Sequence, residues 1–144
     1  MIYLYFDGLC LPKNPGGVAC YGFVVYENGK ELSRGYGLAA RPWSEEATNN
    51  VAEYVGLLKG LEWISRNRPK EDVTVRGDSR LIVMQMAGKF KVRSKRLRPL
   101  HERCKMLESK LGNVVYEWVP REMNREADRL TEEAYRKFIG QGRL

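Results

Sequence analysis

Four acidic residues spread along the chain have the types and spacing of ligands for hard metal ions. Asp7 and Asp78 each directly follow a predicted strand, Glu53 lies in the first two turns of a predicted helix, and Asp128 lies in the first turn of another. Clustered carboxylates repel one another unless one holds a proton or a cation binds. A cluster of oxygen ligands without His suits Mg²⁺ or Mn²⁺, and two such ions about 4 Å apart promote phosphodiester hydrolysis.

Each acid also has an ordinary structural explanation. An Asp after a strand is a common turn residue, and an acid in the first turn of a helix interacts favourably with the helix dipole. Residue type and spacing alone therefore leave both explanations open for all four positions.

The elements that position these acids are predicted from hydrophobic periodicity and turn residues. Asn28-Gly29 separates two β-rich runs and predicts a type I′ hairpin. A pattern of helical period begins after Thr48, a plausible N-cap, and ends before Pro69. The predicted strands cover about residues 2–6, 18–27, 30–38, 73–77 and 114–119, and the later helices about 79–87, 99–112 and 125–139.

The order βββ, α, β, α, α, β, α determines the expected fold. The two late strands are reached through helices, so right-handed crossovers can place them parallel to the first strand. We therefore predict an α/β fold with one mixed five-stranded sheet, three antiparallel strands followed by two parallel ones, and helices on both faces. Neighbouring strands lie about 5 Å apart, so Asp7 and Asp78 should emerge at one sheet edge, where ligands usually bind.

Length and composition indicate one domain. The chain has 144 residues, 43% of them apolar, which suffices for one core but not two. Residues 1–139 are predicted to form the domain and residues 140–144 a frayed tail.

No membrane span or secretory signal is recognisable, which predicts a cytoplasmic protein. Three cysteines without CxxC or zinc-ligand spacing indicate free thiols.

Positive charge is concentrated in one segment. The net charge is +7, and six of the ten residues from Lys89 to Arg98 are basic while none is acidic. Such an excess indicates an anionic partner, either nucleic acid or an anionic membrane. A solvated surface loop is the alternative explanation for the segment.

The residues that flank the four acids closely resemble the motifs of type 1 ribonuclease H. The match is collinear from about residue 3 to residue 136, and four motifs in the right order are far more specific than any single Asp-Gly or Asp-Ser pair. The matching runs are Asp7-Gly8 with Asn14-Pro15-Gly16-Gly17, Thr48-Asn49-Asn50-Val51-Ala52-Glu53-Tyr54, Gly77-Asp78-Ser79-Arg80-Leu81-Ile82, and Asn124-Arg125-Glu126-Ala127-Asp128-Arg129-Leu130.

The resemblance implies a ribonuclease H-like fold and endonucleolytic hydrolysis of the RNA strand of RNA–DNA hybrids, which leaves 5′-phosphate and 3′-hydroxyl ends. It implies two Mg²⁺ ions in the substrate complex, with Mn²⁺ able to substitute. Asp7 would bridge both ions, Glu53 and Asp78 would hold one each, and Asp128 would complete the site more loosely. We expect a monomer without an obligate protein partner and without a membrane association.

The resemblance also assigns contacts with nucleic acid. Asn14, Asn49 and Asn50 match positions that contact the substrate, some through 2′-hydroxyl groups, to which an amide can both donate and accept. Helix capping is the alternative explanation for Asn49 and Asn50, since Asn is a leading cap residue.

Three departures from the family's pattern change the expected contacts. The loop before the last acid lacks the usual His, and Arg121 is the best substitute, although Arg stabilises charge without shuttling a proton. Arg80 stands where some members have Gln, which favours a phosphate contact. The Trp-rich basic protrusion of some members is missing, so a plain basic strip would contact phosphates instead. The candidate residues of this strip are Lys89, Lys91, Arg93 and Lys95.

Three other activities stay open as alternatives. A proofreading 3′–5′ exonuclease would carry Asp-x-Glu at the end of the first strand, whereas this chain has Asp7-Gly8-Leu9. A non-catalytic nucleic-acid-binding module is disfavoured because all four acids are present. Cleavage of double-stranded RNA in addition to hybrid is compatible with the missing protrusion.

The positions of the three tryptophans in the sequence predict different roles for them. Trp63 and Trp118 fit core positions of a helix and of a strand. Trp43 precedes the long helix, where it either packs as a lid or stacks on nucleic acid.

Overall fold

The protein forms a five-stranded sheet that carries helices on both faces. A computed structural model describes residues 1–141. The strands are β1 (Ile2–Leu11), β2 (Val18–Glu27), β3 (Lys30–Leu38), β4 (Val73–Gly77) and β5 (Val114–Trp118). The helices are α1 (Asn49–Asn67), α2 (Arg80–Met86), α3 (Arg98–Glu108) and α4 (Arg125–Gly140). Within residues 1–141, no helix has the length and apolar character needed to cross a bilayer.

The strand order confirms the predicted fold class. The sheet runs β3-β2-β1-β4-β5, in which β2 is antiparallel to both β1 and β3, β4 is parallel to β1, and β5 is parallel to β4. Asn28 and Gly29 have φ values of 52° and 79°, as the two central residues of a type I′ turn require. This turn sets the register of β2 on β3, in which Glu27 lies opposite Lys30.

The first strand is longer than predicted. It continues to Leu11 because its pairing with β2 runs over its whole length, whereas its pairing with β4 ends at Tyr5. The prediction that Asp7 follows the strand is therefore wrong. Asp7 lies inside β1, at a point where β4 no longer pairs with it.

Helix ends also differ from the predictions. The third helix ends at Glu108 instead of near Gly112, because the chain turns there and the Gly112 N–H donates to the carbonyl oxygen of Glu71 at 2.8 Å. The last helix includes Gly140. Gln141 is the C-cap of that helix, and the remaining residues of the predicted frayed tail, 142–144, lie outside the described residues.

Two apolar layers hold the helices to the sheet. On one face, alternate β1 side chains (Ile2, Leu4 and Phe6) are fully buried in a core shared with α1, α2 and α3. On the other face, Ala134 and Phe138 of α4 pack against β2. Burial of both sheet faces explains why β1 and β2 are so apolar.

Two glycines bring α1 and α4 against the same point of the sheet. Gly22 lies opposite Asp7 in the β1–β2 pair, and a Cβ there would come within 2.6 Å of the carbonyl oxygen of Ala127 in α4. A Cβ at Gly56 of α1 would come within 2.9 Å of the carbonyl oxygens of both Asp7 and Gly22. The two helices therefore flank Asp7 closely, one on each face.

Candidate active site

The four acids converge where β1 and β4 separate. The Asp7 side chain is on the α4 side of the sheet, because its cross-strand partner Gly22 faces α4. Glu53 reaches the site from the second turn of α1, Asp78 directly follows β4, and Asp128 lies in the first turn of α4. All four acids line one groove of about 520 Å³, which we call the acidic groove.

Three of the acids form a tight centre. Asp7, Glu53 and Asp78 each offer a carboxylate oxygen that lies within 4.8 Å of the others. Asp7 and Glu53 are only 5% and 4% exposed. Asp128 is more open, and its Oδ1 lies 4.0 Å from Nη2 of Arg121. The geometry therefore gives Asp128 an outer position.

Gly8 positions two of these acids. Its backbone N–H donates to Oδ1 of Asp7 at 2.9 Å. A Cβ on Gly8 would collide with the backbone nitrogen of Glu53 and come within 2.5 Å of the carbonyl carbon of Ala52. The missing side chain thus lets α1 approach β1 closely enough for Glu53 to reach the centre.

Burial and mutual repulsion raise the pKa values of the central acids. Burial first, and the charge of Asp78 second, raise the pKa of Asp7 to about 8. Burial, followed by the charges of Asp7 and Asp78, raises the pKa of Glu53 well above its usual value. The pKa of Asp78 is also raised, mainly by burial, although a hydrogen bond from Asn124 lowers it in part. A bound cation would relieve this repulsion and favour the charged forms.

The donor set fits a divalent cation. Among the described residues, Oε2 of Glu53 is buried without a hydrogen-bond partner, and leaving such an atom unpaired is costly. Its neighbours in the centre are carboxylate oxygens, the ligand type that Mg²⁺ and similar hard ions prefer. Asp7, Glu53 and Asp78 are therefore the residues that would hold a metal ion.

In the absence of metal, the free energy of unfolding should fall as the pH rises from about 4 to about 8. Unfolded Asp7 releases its proton near the ordinary pKa of 3.8, whereas folded Asp7 retains it up to about pH 8. The folded state therefore binds more protons in this window, so stability decreases with rising pH, by roughly 5 kcal/mol from this residue.

Denaturant unfolding in EDTA at about pH 5 and about pH 8 measures this effect. Excess Mg²⁺ should restore most of the lost stability at the higher pH, because it binds the deprotonated acids of the folded state. Equal stability at both pH values in EDTA would contradict the raised pKa of Asp7.

The start of α1 is capped without the side chains of Asn49 and Asn50. Oγ1 of Thr48 accepts a hydrogen bond from the Val51 N–H at 3.0 Å, and Oδ1 of Asn14 accepts one from the Asn49 N–H at 3.0 Å. Asn49 lines the acidic groove, and Asn50 lines the groove described next. Capping therefore does not account for either Asn, and their contact with nucleic acid stays a prediction.

A second groove, of about 710 Å³, contains most of the predicted basic strip. We call it the basic groove; it is lined by Thr48, Asn50, Leu81, Gln85, Lys89, Phe90, Lys91, Arg93, Ser94, Arg96 and Leu97. Among the described residues, Lys95 and Arg80 are exposed but belong to the lining of neither groove. Arg121 lines the acidic groove, with 77% of its side chain exposed.

Comparisons with known proteins agree with this geometry. A family model described as reverse transcriptase-like matches residues 17–134. The N-terminal RNase H domain of Rv2228c from Mycobacterium tuberculosis is 33% identical, with a TM-score of 0.83 and 99% of each chain covered. RNase H1 from Halobacterium salinarum is 31% identical, with a TM-score of 0.83, 94% of this chain and 98% of that chain covered. The chain belongs to the type 1 ribonuclease H family.

Some relatives of this chain are longer proteins. The whole bifunctional protein Rv2228c is 40% identical over 123 residues, which are 84% of this chain but 32% of the relative. Ribonuclease HI of Halobacterium salinarum is 32% identical over 133 residues, 92% of this chain and 63% of the relative. The chain therefore spans about a third of the first relative's length and under two thirds of the second's.

Trp118 lines the candidate site, although the sequence predicted a different place for it. It was predicted to lie in the core, but it is on the edge strand β5 and is 47% exposed. Its ring lines the acidic groove, and its Nε1–H donates to the carbonyl oxygen of Asp78 at 3.1 Å. Trp63 packs against the main core, as predicted.

Asn124 is a site residue to which the sequence analysis gave no role. It is buried, and its Nδ2 donates to the carbonyl oxygen of Phe6 at 2.9 Å. Asn124 thereby ties the loop before α4 to β1, the strand that carries Asp7, and its amide lowers the pKa of Asp78. Its place at the head of the fourth ribonuclease H motif was the available signal.

Proposed function

We propose that this ribonuclease H cuts the RNA strand of RNA–DNA hybrids internally and leaves 5′-phosphate and 3′-hydroxyl ends. The observation that carries the proposal is the set of three carboxylates within 4.8 Å of one another, in a groove beside a basic one. A similar protein, LC11-RNase H1 from compost, was solved in complex with RNA/DNA hybrid, and it is 31% identical with a TM-score of 0.85. Both observations support a duplex lying across the two grooves.

The side chains of the acidic groove have distinct tasks in this proposal. Two Mg²⁺ ions, or Mn²⁺ in their place, supply activation of a water molecule and stabilisation of the leaving oxygen. Asp7, Glu53 and Asp78 would hold these ions, with Asp7 as the ligand that they share, and Asp128 would complete the site from its more open side. Arg121 offers a fixed positive charge close to Asp128, where it neutralises the scissile phosphate but moves no proton.

The side chains around the acids hold the substrate. Asn14 and Asn49 lie together at the start of α1. With Asn50 they contact the nucleic acid, some of them through 2′-hydroxyl groups, which identify the RNA strand. The basic groove binds the phosphates of the partner strand through its Lys and Arg side chains, and the exposed Lys95 and Arg80 extend this contact. A monomeric, cytoplasmic enzyme remains our prediction.

Cleavage of one labelled strand in different partners tests the function. The substrates are RNA–DNA hybrid, duplex RNA, duplex DNA and single-stranded RNA, each with Mg²⁺, Mn²⁺ or EDTA. Internal cuts confined to the RNA of the hybrid, and lost in EDTA, are expected. Equal cutting of duplex RNA would widen the substrate class. Binding without cutting in either metal would contradict the proposal.

Neutralising the basic groove should weaken binding and flatten its salt dependence. Each phosphate contact on duplex DNA contributes nearly one unit to the slope of log K against log salt. The triple substitution of Lys89, Lys91 and Arg93 by Gln should therefore reduce the slope by roughly 2 to 3 units. Hybrid binding is measured in EDTA by fluorescence anisotropy at several salt concentrations.

A matched control removes three charges elsewhere on the surface. Lys30, Lys70 and Lys110 are exposed and lie outside both grooves. Their triple substitution by Gln should leave the slope nearly unchanged. Equal slopes for the two triple variants would mean that the basic groove does not contact phosphates.

A further inference from the structure

Trp43 has an unusual backbone conformation in the loop before α1. Its φ is 64°, in the left-handed region that bulky residues rarely adopt, and its side chain is 44% exposed. Its backbone N–H donates to the carbonyl oxygen of Gly17 at 2.8 Å, which ties this loop to the one after β1. The positive φ of Trp43 costs conformational free energy, although its aromatic ring remains in solvent. Strained residues of this kind cluster at functional sites.

The surroundings of Trp43 include two cations. A pocket of about 490 Å³ is lined by Lys13, Pro15, Gly16, Trp43, Ser44, Glu45 and Arg96. Lys13 and Arg96 are its cations and Glu45 its acid. Arg96 is held by a hydrogen bond from its Nε to Glu46 at 3.1 Å. Since Arg96 also lines the basic groove, the pocket continues that groove toward Trp43.

A packing role does not explain this ring. In the part of the chain that the structure describes, Trp43 belongs to none of the three apolar clusters. Burying an indole is a large source of stability, yet almost half of this side chain remains in water. The lid alternative is therefore disfavoured, and the ring is free to contact a ligand.

We propose that Trp43, Lys13 and Arg96 form a binding site for an unpaired nucleotide on a strand that extends beyond the bound duplex. The indole stacks on the base, and the two cations neutralise the adjacent phosphates, the combination used by proteins that bind single strands. A base inside a duplex is covered on both faces by its neighbours, so an unpaired base is the natural partner. This inference rests on the proposed function, because the duplex is the one held across the two grooves.

Binding to overhangs tests the site without cleavage. Affinities are measured in EDTA for a blunt hybrid and for hybrids with a five-nucleotide overhang at each strand end. For one of these ends the overhang should strengthen binding about tenfold, equivalent to about 1.4 kcal/mol. Trp43→Gly should lose this preference but keep the affinity for blunt hybrid, whereas Trp43→Phe should retain most of it. A wild-type protein that binds all the hybrids equally overturns the proposal.

The glycine variant separates stacking from folding. Because Gly adopts a positive φ without strain, Trp43→Gly should not lower the melting temperature. A drop of several degrees would show that Trp43 supports the fold, and retention of the overhang preference would show that the ring binds nothing; either result overturns the proposal. Lys13→Gln should reduce the preference severalfold, and Lys30→Gln, at the β2–β3 hairpin, should leave it unchanged.

The outcome is distinguishable from failure of the proposed function. Cleavage of blunt hybrid in Mg²⁺ reports on the acidic groove, whereas the overhang preference in EDTA reports on Trp43. A protein that prefers overhangs but never cuts hybrid would keep this site and lose the proposed function. A protein that cuts hybrid but binds overhangs no better than blunt ends would keep the proposed function and lose this site.

Discussion

Asp7→Asn is expected to slow hydrolysis of RNA–DNA hybrid by roughly a thousandfold or more with the fold intact. Asn retains the Oδ1 atom that accepts the hydrogen bond from the Gly8 N–H. It lacks the negative charge at the middle of the cluster, so cation binding weakens and transition-state stabilisation worth several kcal/mol is lost. Loss of that charge also relieves repulsion with Asp78. The metal-free variant should therefore be more stable than the wild type at about pH 8.

Single-turnover cleavage and denaturant unfolding in EDTA measure these two effects. Asp72→Asn is a matched control, because Oδ1 of Asp72 also accepts a backbone hydrogen bond, from the Asn113 N–H at 2.8 Å, away from the acidic groove. It should change neither the rate nor the pH dependence of stability. An Asp7→Asn rate within tenfold of wild type would remove Asp7 from the catalytic centre.

Gly8→Ala is expected to destabilise the fold by about 3 kcal/mol and to leave little activity. The added methyl group would collide with the backbone nitrogen of Glu53 and with Ala52. These are atoms of a buried helix, not of a flexible side chain, so α1 must move away from β1. Glu53 moves with it and leaves the carboxylate centre. The melting temperature should fall by roughly 10 °C, and Mg²⁺ should stabilise the variant much less than the wild type.

Gly140→Ala is the control for the added methyl group. A Cβ at Gly140 meets nothing within 4 Å at the end of α4, so stability should change by about 0.5 kcal/mol or less. If Gly8→Ala behaves like Gly140→Ala, then close contact between β1 and α1 is not what brings Glu53 to the centre.

Local signals predicted the position of three of the four acids within their helix or after their strand. The Thr48 cap sets the start of α1, which puts Glu53 in the second turn. The β-rich run that ends at Gly77 puts Asp78 directly after β4, and Asp128 is in the first turn of α4. In each case the position depends on where one element begins or ends, and such boundaries are encoded by neighbouring residues.

The features that were missed depend on distant parts of the chain. Asp7 lies inside β1 because β2 continues to pair with that strand after β4 has stopped. Trp118 is exposed because β5 is at the sheet edge, and residue alternation does not reveal which strand lacks a neighbour. The hydrogen bond from Asn124 to Phe6 joins residues 118 positions apart. Strand neighbours and long-range bonds are properties of the assembled sheet.

The distribution of the acids over four elements also has a consequence during synthesis. A growing chain that has produced β1, β2, β3 and α1 contains Asp7 and Glu53 but neither Asp78 nor Asp128. The acidic groove is complete only after the start of α4 has left the ribosome and packed against Gly22. A chain that terminates before α4 lacks Asp128, so premature termination yields a fragment with an incomplete site.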